Sequence, residues 1–189
     1  SRPPILWWSP DPRCIITPQG LHVSRRLSRT LNKRPFNITI NHAFGRVIRA
    51  CAQARTEGTW ITPAMIDAYE MLHLKGHAHS FEAWTADGEL AGGLYGVAVG
   101  ACFFGESMFT RVTDASKIVF VHWVHQLSRW GYGLIDCQME NAHLMSLGAE
   151  CLSRDAFLTI LKHHVDNPPP PHEWQMEWEW PGGALHDQP

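Results

Sequence analysis

Apolar positions along the chain recur at two spacings, and the switches between those spacings mark out its elements. Period-two alternation predicts strands at Cys14-Ile15-Ile16, Phe36 to Ile40, Ser80 to Thr85, Leu90 to Val99, Leu134 to Gln138 and Ala149 to Leu152. Between them, the 3.6-residue period predicts helices. Ser24 caps one in which Leu27 and Leu31 face the core, and Asn41 is placed to cap another carrying Phe44, Val47, Ile48 and Cys51. Thr62-Pro63 opens a third, with Met65, Ile66, Tyr69 and Leu72 on one side and an end near Gly76. Asp87-Gly88 reads as a hairpin turn, and Ala101 to Phe104 completes a second pairing. Gly105-Glu106-Ser107-Met108-Phe109 then breaks the alternation by setting an acid among apolar residues. Ala115 to Trp130 is the strongest helical run, with Val119, Trp123, Leu127 and Trp130 in one stripe and Gly131 and Gly133 as the stop. Asn141 to Leu147 closes at Gly148, and Asp155 is placed to cap a last helix carrying Phe157, Ile160, Leu161 and His164. Four prolines after Asn167 end regular structure.

The helices on either side of Leu134 to Gln138 place that strand centrally, yet it carries two polar residues. Alternation points Leu134, Asp136 and Gln138 to one face and Ile135 and Cys137 to the other. A carboxylate inside such an element must find partners or shift its pKa. Asp136 and Gln138 are therefore the first candidates for chemistry, against the plain alternative of a strand end reaching solvent.

Length and composition narrow the possibilities. A chain of 189 residues fits one domain with a real core, and it contains no run of 18 apolar residues that would span a membrane. The opening, Ser-Arg-Pro-Pro-Ile-Leu-Trp-Trp-Ser-Pro, lacks the pattern of a signal peptide and reads like a cut end. Five cysteines, an odd number, suggest reduced thiols in a cytoplasmic setting rather than a disulfide scaffold. The net charge of −2 hides an asymmetry. Residues 1–34 hold seven basic side chains against Asp11 alone, whereas the last 24 residues hold five acids and no Lys or Arg. A phosphate-rich partner at the basic end is compatible with the acidic total. The chain accordingly reads as a basic, Pro- and Trp-containing segment (1–34), a body (35–166) and a Pro/Trp-rich tail (167–189) whose tryptophans lie against the body.

Other chemistry is weaker. His73, His77 and His79, with Glu70 nearby, and the pair His122 and His125 match no zinc motif, so no metal is expected. Cys137 points away from Asp136 and has no evident activating histidine, so it reads as a small buried hydrophobe. Glu106, among Phe103, Phe104, Met108 and Phe109, is partly desolvated, which raises a carboxylate's pKa and suits recognition of an amine. Arg25, Arg26 and Arg29 share a helical side that either binds phosphates or merely solvates the helix.

A resemblance adds to this reading. The chain resembles the leucyl/phenylalanyl-tRNA protein transferase family through Ile5-Leu6-Trp7-Trp8-Ser9-Pro10-Asp11-Pro12-Arg13, Glu57-Gly58-Thr59-Trp60-Ile61-Thr62, Gly76-His77-Ala78-His79-Ser80, Gly105-Glu106-Ser107-Met108-Phe109 and Leu134-Ile135-Asp136-Cys137-Gln138. These motifs cover residues 5 to about 158 in the family's order. The resemblance implies an α/β (α+β) fold like that of the N-acetyltransferases, a mixed sheet flanked by helices, preceded by a small N-terminal domain mostly absent here. It also implies a cytoplasmic aminoacyltransferase. Such an enzyme moves Leu or Phe, with Met as a further donor, from aminoacyl-tRNA to the free α-amine of proteins beginning with Arg or Lys, which then enter the N-degron pathway.

By the same resemblance, Asp136 orients and polarises Gln138, and Glu106 holds the substrate amine or the charged aminoacyl end. Leu94, Phe103, Met108, Trp123 and Ile135 line the side-chain pocket, Trp7 and Trp60 meet the adenosine end, and Arg25, Arg26 and Arg29 contact the acceptor stem. No cofactor, no coenzyme A, no membrane and a monomer are expected. Two rivals stand beside it. A coenzyme A-dependent acetyltransferase would need a pyrophosphate motif that Arg111 to Ser116 lacks. A module that binds basic protein N termini would leave Gln138 and the arginines without a role.

Overall fold

The computed structural model describes residues 8–54 and 58–182. Among these, seven strands form one mixed sheet: β1 (Arg13–Ile16), β2 (Asn37–Ile40), β3 (Ala78–Trp84), β4 (Leu90–Val99), β5 (Cys102–Thr110), β6 (Leu134–Gln138) and β7 (Glu150–Leu152). Their order is β2-β3-β4-β5-β6-β1-β7, with β5 and β6 parallel and every other pair antiparallel. The helices are α1 (Arg25–Asn32), α2 (Phe44–Gln53), α3 (Pro63–Leu74), α4 (Ala115–Trp130), α5 (Ala142–Ser146) and α6 (Arg154–Asp166). None is long and apolar enough to cross a membrane.

Strand alternation sorts the core into two faces. Phe81, Leu94, Phe103 and Ile135 join α4 and α1 in the largest buried cluster. Their neighbours along the strands face the other way. Tyr95 packs with α2 and α3, and Leu134, Cys102 and Ile15 pack with Phe157 of α6. Helix α4 is buried almost all round, because α1 and the tail cover the side that the sheet leaves bare. The stripe that defines its period is therefore only part of its buried surface. Residues 13–32 supply an internal strand and part of the main cluster, so they are built into the same core as the body.

The helix starts follow side-chain chemistry, with two corrections. Ser24 and Thr62 accept from the backbone N–H of Leu27 (3.2 Å) and Met65 (3.3 Å), as capping residues do. Asp155 does not cap α6; the Ser153 hydroxyl accepts from Ala156 N–H at 3.3 Å, and Asp155 sits within the first turn. Asn41 does not cap α2 either. Its φ of 61° turns the side chain back to β3, where Oδ1 accepts from Ser80 N–H at 3.0 Å. The start of α2 faces a buried carboxylate instead: Glu82 accepts from Ala43 N–H (3.3 Å), from the Ser80 hydroxyl (2.5 Å) and from the Thr39 hydroxyl (2.5 Å).

A third correction concerns β5, which does not stop at Phe104 but runs on to Thr110. Tyr95 pairs with Ser107 and Gly96 with Gly105, leaving Glu106 as the extra residue of a bulge. A bulge keeps the ladder running while it re-aims one side chain. That one residue is what interrupts the alternation in the sequence.

The tail crosses the α4 side. Trp174 stacks on His79 with ring centres 3.4 Å apart, and Trp178 stacks on His125 at 4.3 Å. Trp180 is 2% exposed and donates its indole N–H to Asn32 Oδ1 at 2.6 Å. Gln126 Oε1, inside α4, accepts from the backbone N–H groups of Glu177 (2.8 Å) and Trp178 (2.7 Å).

Candidate active site

Strands β5 and β6 run side by side only from Cys102, Phe103 and Phe104 against Leu134, Ile135 and Asp136. Beyond that point they part, and a cavity of about 750 Å³ opens between them. Its apolar wall includes Leu94, Met108, Phe120, Trp123 and Leu144, and its polar wall is Glu106, Gln138, Glu140 and His143, with Trp60 at the rim.

Asp136 does not line this cavity. Its carboxylate is fully buried behind the wall and held by Arg13, whose Nε and Nη2 donate to Oδ1 and Oδ2 at 2.9 and 2.6 Å. A carboxylate this deep needs such a two-pronged partner, and the contact raises the Arg13 pKa further. Asp136 Oδ1 also accepts from the backbone N–H of Gln138 at 2.9 Å. That bond pins a backbone conformation rare outside glycine, with Gln138 at φ 66°. The register of β6 against β1 slips at the same place, so strict alternation fails between Asp136 and Gln138. Asp136 thus orients Gln138 through the main chain, and Gln138 alone of the two reaches the cavity.

Gln138 and Tyr69 of α3 both hydrogen-bond Glu106. Burial pushes the Glu106 carboxyl above its ordinary value, and these two bonds pull it partly back. The strand bulge and the left-handed residue therefore aim two side chains at each other across the gap between β5 and β6. The arrangement holds a charge-accepting group and an amide at the mouth of an apolar cavity.

Of the five residues expected to form the side-chain pocket, Leu94, Met108 and Trp123 line it. Phe103 and Ile135 do not: both have no exposed surface and sit one layer deeper, Phe103 edge-on to Trp123 at 5.3 Å. The alternation that turns Leu94 and Met108 inward also turns these two toward the core, where α4 covers them. Trp7 lies outside the described residues, whereas Trp60, 40% exposed, is held at the rim by buried Ile61 next to it. Arg25, Arg26 and Arg29 are exposed on α1. Cys137 lines the cavity wall with its thiol pushed upward by burial, the state of an unreactive side chain. Among the described residues no three His, Cys, Asp or Glu side chains converge as a metal ion requires.

Three residues of the site escaped the sequence reading. Arg13 directly precedes the buried run Cys14-Ile15-Ile16, and a carboxylate inside a central strand is itself the signal that a cation must reach it. Tyr69 was visible only as one member of the apolar stripe of α3. His143 stands in the first turn of the helix after β6, at the C-terminal end of a strand where open α/β sheets place their ligands.

Comparison with known proteins identifies the chain's family. The family model described as leucyl/phenylalanyl-tRNA protein transferase matches residues 15–162. A relative with that name from Nitrosomonas eutropha is 53% identical over 179 residues, which is 94% of this chain and 76% of the relative. Another from Chromobacterium violaceum is 53% identical over 177 residues, 93% of this chain and 76% of the relative. Among solved structures, L-PGS from Bacillus licheniformis aligns with a TM-score of 0.48 and 10% identity, covering 71% of this chain and 49% of that one. The chain is an aminoacyltransferase. It belongs to the leucyl/phenylalanyl-tRNA protein transferase family.

Proposed function

We propose that this protein transfers Leu or Phe, and Met as a further donor, from the 3′ end of aminoacyl-tRNA to the free α-amine of proteins beginning with Arg or Lys. The product is a protein marked for the N-degron pathway, and the setting is the cytoplasm. The observation that carries the reading is the cavity itself: one apolar end of side-chain size, and a mouth where Glu106 and Gln138 meet. The apolar end suits Leu and Phe alike, since Met108 can change shape between them. Discrimination is modest, one methylene being worth roughly 1–3 kcal/mol.

Glu106, whose desolvated carboxyl gains from any cation, holds an ammonium. Gln138, fixed by the Asp136 contact to its backbone, positions the ester carbonyl and polarises it as the amine attacks. The ester is already activated, so placing amine and carbonyl at contact distance supplies much of the rate. Trp60 stacks the terminal adenosine, a part Trp7 shares, and Arg25, Arg26 and Arg29 take acceptor-stem phosphates. The fold is read as an N-acetyltransferase-like acyltransferase body working as a monomer without coenzyme A, with residues 8–34 and 167–182 packed on it.

The test uses tRNA charged with labelled Leu or Phe, a peptide beginning with Arg, and the same peptide acetylated at its N terminus. Label moving only to the free amine is the expected result. Label on the acetylated peptide, or none on either despite tRNA binding, overturns the reading.

A further inference from the structure

The cavity between β5 and β6 has room for an aminoacyl end, and the RNA that carries that end needs a seat of its own. A second cavity, of about 300 Å³, lies where the start of α1, the start of α4 and the end of α5 converge. His22, Ser24 and Arg26 line it from the α1 side, Asp114 and Lys117 from α4, and Ser146 from α5. Helix α5 partitions the two cavities: Ala142 and Leu144 line the first, and Ser146 and Leu147 the second. A helix of five residues is only about 7 Å long, so the second cavity adjoins the place where the donor presents its 3′ end.

The walls of this hollow are fixed by backbone contacts. The His22 N–H donates to the Leu147 carbonyl at 2.9 Å, which ties the segment ahead of α1 to the end of α5. The chain then turns at Gly148, φ 96°, where a methyl would collide with the Gly20 carbonyl oxygen. Only glycine allows that approach.

The charges here oppose the helices that carry them. A helix N-terminus is the positive end of its dipole and favours acids. The first turns of α1 and α4 nevertheless hold no acid, and Arg26 and Lys117 stand in them. Neither cation forms an ion pair among the described residues, although Lys117 is half-buried. Asp114 is the one carboxylate among the described residues at the cavity. It sits at φ 65° and its side chain caps no N–H of α4. Two unpaired cations, two helix starts and two hydroxyls thus border one hollow, and an anion entering it relieves the repulsion among them.

We propose that this cavity seats a backbone phosphate of the donor RNA beside its aminoacylated end, a reading that rests on the transfer argued above. Lys117 and Arg26 supply the charge, and His22 and the Ser24 and Ser146 hydroxyls donate to the phosphate oxygens. Arg25 and Arg29, absent from the lining, continue the positive surface along α1. A phosphate contact fixes register without reading bases, which suits an enzyme that takes tRNAs of different sequence. A free phosphate offers the same oxygens, so the test varies the donor.

The decisive experiment compares two donors in transfer to an Arg-initiated peptide: Phe-tRNA, and phenylalanyl-adenosine, which carries no phosphate. In Lys117→Gln the KM for Phe-tRNA is expected to rise on the order of 10-fold, the worth of a hydrogen bond to a charged group, with kcat unchanged. Phenylalanyl-adenosine keeps its wild-type KM, which also shows that the variant is folded. Lys117→Arg restores the Phe-tRNA value. For uncharged tRNA, the slope of log K against log salt becomes shallower by roughly one in Lys117→Gln. Equal losses with both donors would assign Lys117 to the shape of the active site and overturn the proposal, as would an unchanged slope. An unchanged KM for Phe-tRNA overturns it too, and inorganic phosphate bound by wild type but not by Lys117→Gln in calorimetry would then assign the hollow to free phosphate. Wild-type enzyme that transfers from neither donor removes the function proposed above, whereas the slope for uncharged tRNA still decides the phosphate seat by itself.

Discussion

Two carboxylates of this site, Asp136 fully buried and Glu106 half-buried, are accommodated by opposite means, and single substitutions separate them. Asp136 is held by a two-pronged ion pair with Arg13, so Arg13→Met leaves a buried carboxylate without its partner and is expected to cost about 3–5 kcal/mol. The urea midpoint reads that loss, and a second change, Asp136→Leu in the same chain, is expected to restore most of it; a cycle showing no such recovery removes the pairing as the cause. Glu106 has no full counter-charge, and burial raises its folded pKa above the ordinary 4.5. Its contribution to stability is therefore fully present below pH 4.5 and is lost as pH rises through the raised value. Glu106→Gln is expected to melt at or above the wild-type temperature at pH 7, with the difference closing near pH 4. Transfer falls about one to two orders of magnitude, the worth of a hydrogen bond to a charged group. A variant that is less stable at pH 7 and equally active contradicts both halves of this account.

At the scale of elements, regular pieces were legible and the irregular ones were not. Helix α4 and strand β4 keep to their periods and have the bounds the alternation predicts, Ala115–Trp130 and Leu90–Val99. Strand β5 hides behind its own bulge, because one extra residue at Glu106 shifts every later side chain to the other face. Asn41 and Asp155 misled because capping depends on backbone angles that residue type only suggests. The glycines of β4, Gly92, Gly93 and Gly96, admit two readings by sequence, close substrate approach or tight packing. Packing is what the structure shows: a methyl on Gly96 would lie 2.1 Å from the Phe104 carbonyl oxygen. Gly96→Ala is expected to lower stability by more than the roughly 1–3 kcal/mol of an overfilled core, since a backbone carbonyl cannot swing aside. A normal melting curve with lost transfer would restore the substrate-approach reading. On α1, Arg25→Ala and Arg29→Ala are each expected to reduce the salt dependence of tRNA binding by roughly one phosphate contact, measured as the slope of log K against log salt. An unchanged slope leaves these arginines as solvated surface.

For the whole molecule, the tail and the first strand matter as closures. Trp180 ties the tail to the end of α1 through Asn32 Oδ1, and its carbonyl accepts from Arg34 Nη2 at 3.1 Å. Trp180→Ala is expected to cost about 3–5 kcal/mol, detected by thermal unfolding. Unaltered stability would mean the tail is an ornament on a self-sufficient body. The anomaly of tryptophans in a proline-rich stretch was readable in the sequence, but their partners were not, since stacking on His79 and His125 joins segments far apart in the chain. The same distance governs how the protein comes into being. Arg13 and Asp136 lie 123 positions apart, and Asn32 and Trp180 lie 148 apart. On a ribosome, Arg13 therefore emerges long before the carboxylate it must neutralise, and α4 is complete before the residues that roof it exist. Pairings so distant slow folding and leave apolar surface open while they are pending. A half-made chain therefore exposes the kind of apolar surface on which chaperones and proteases act.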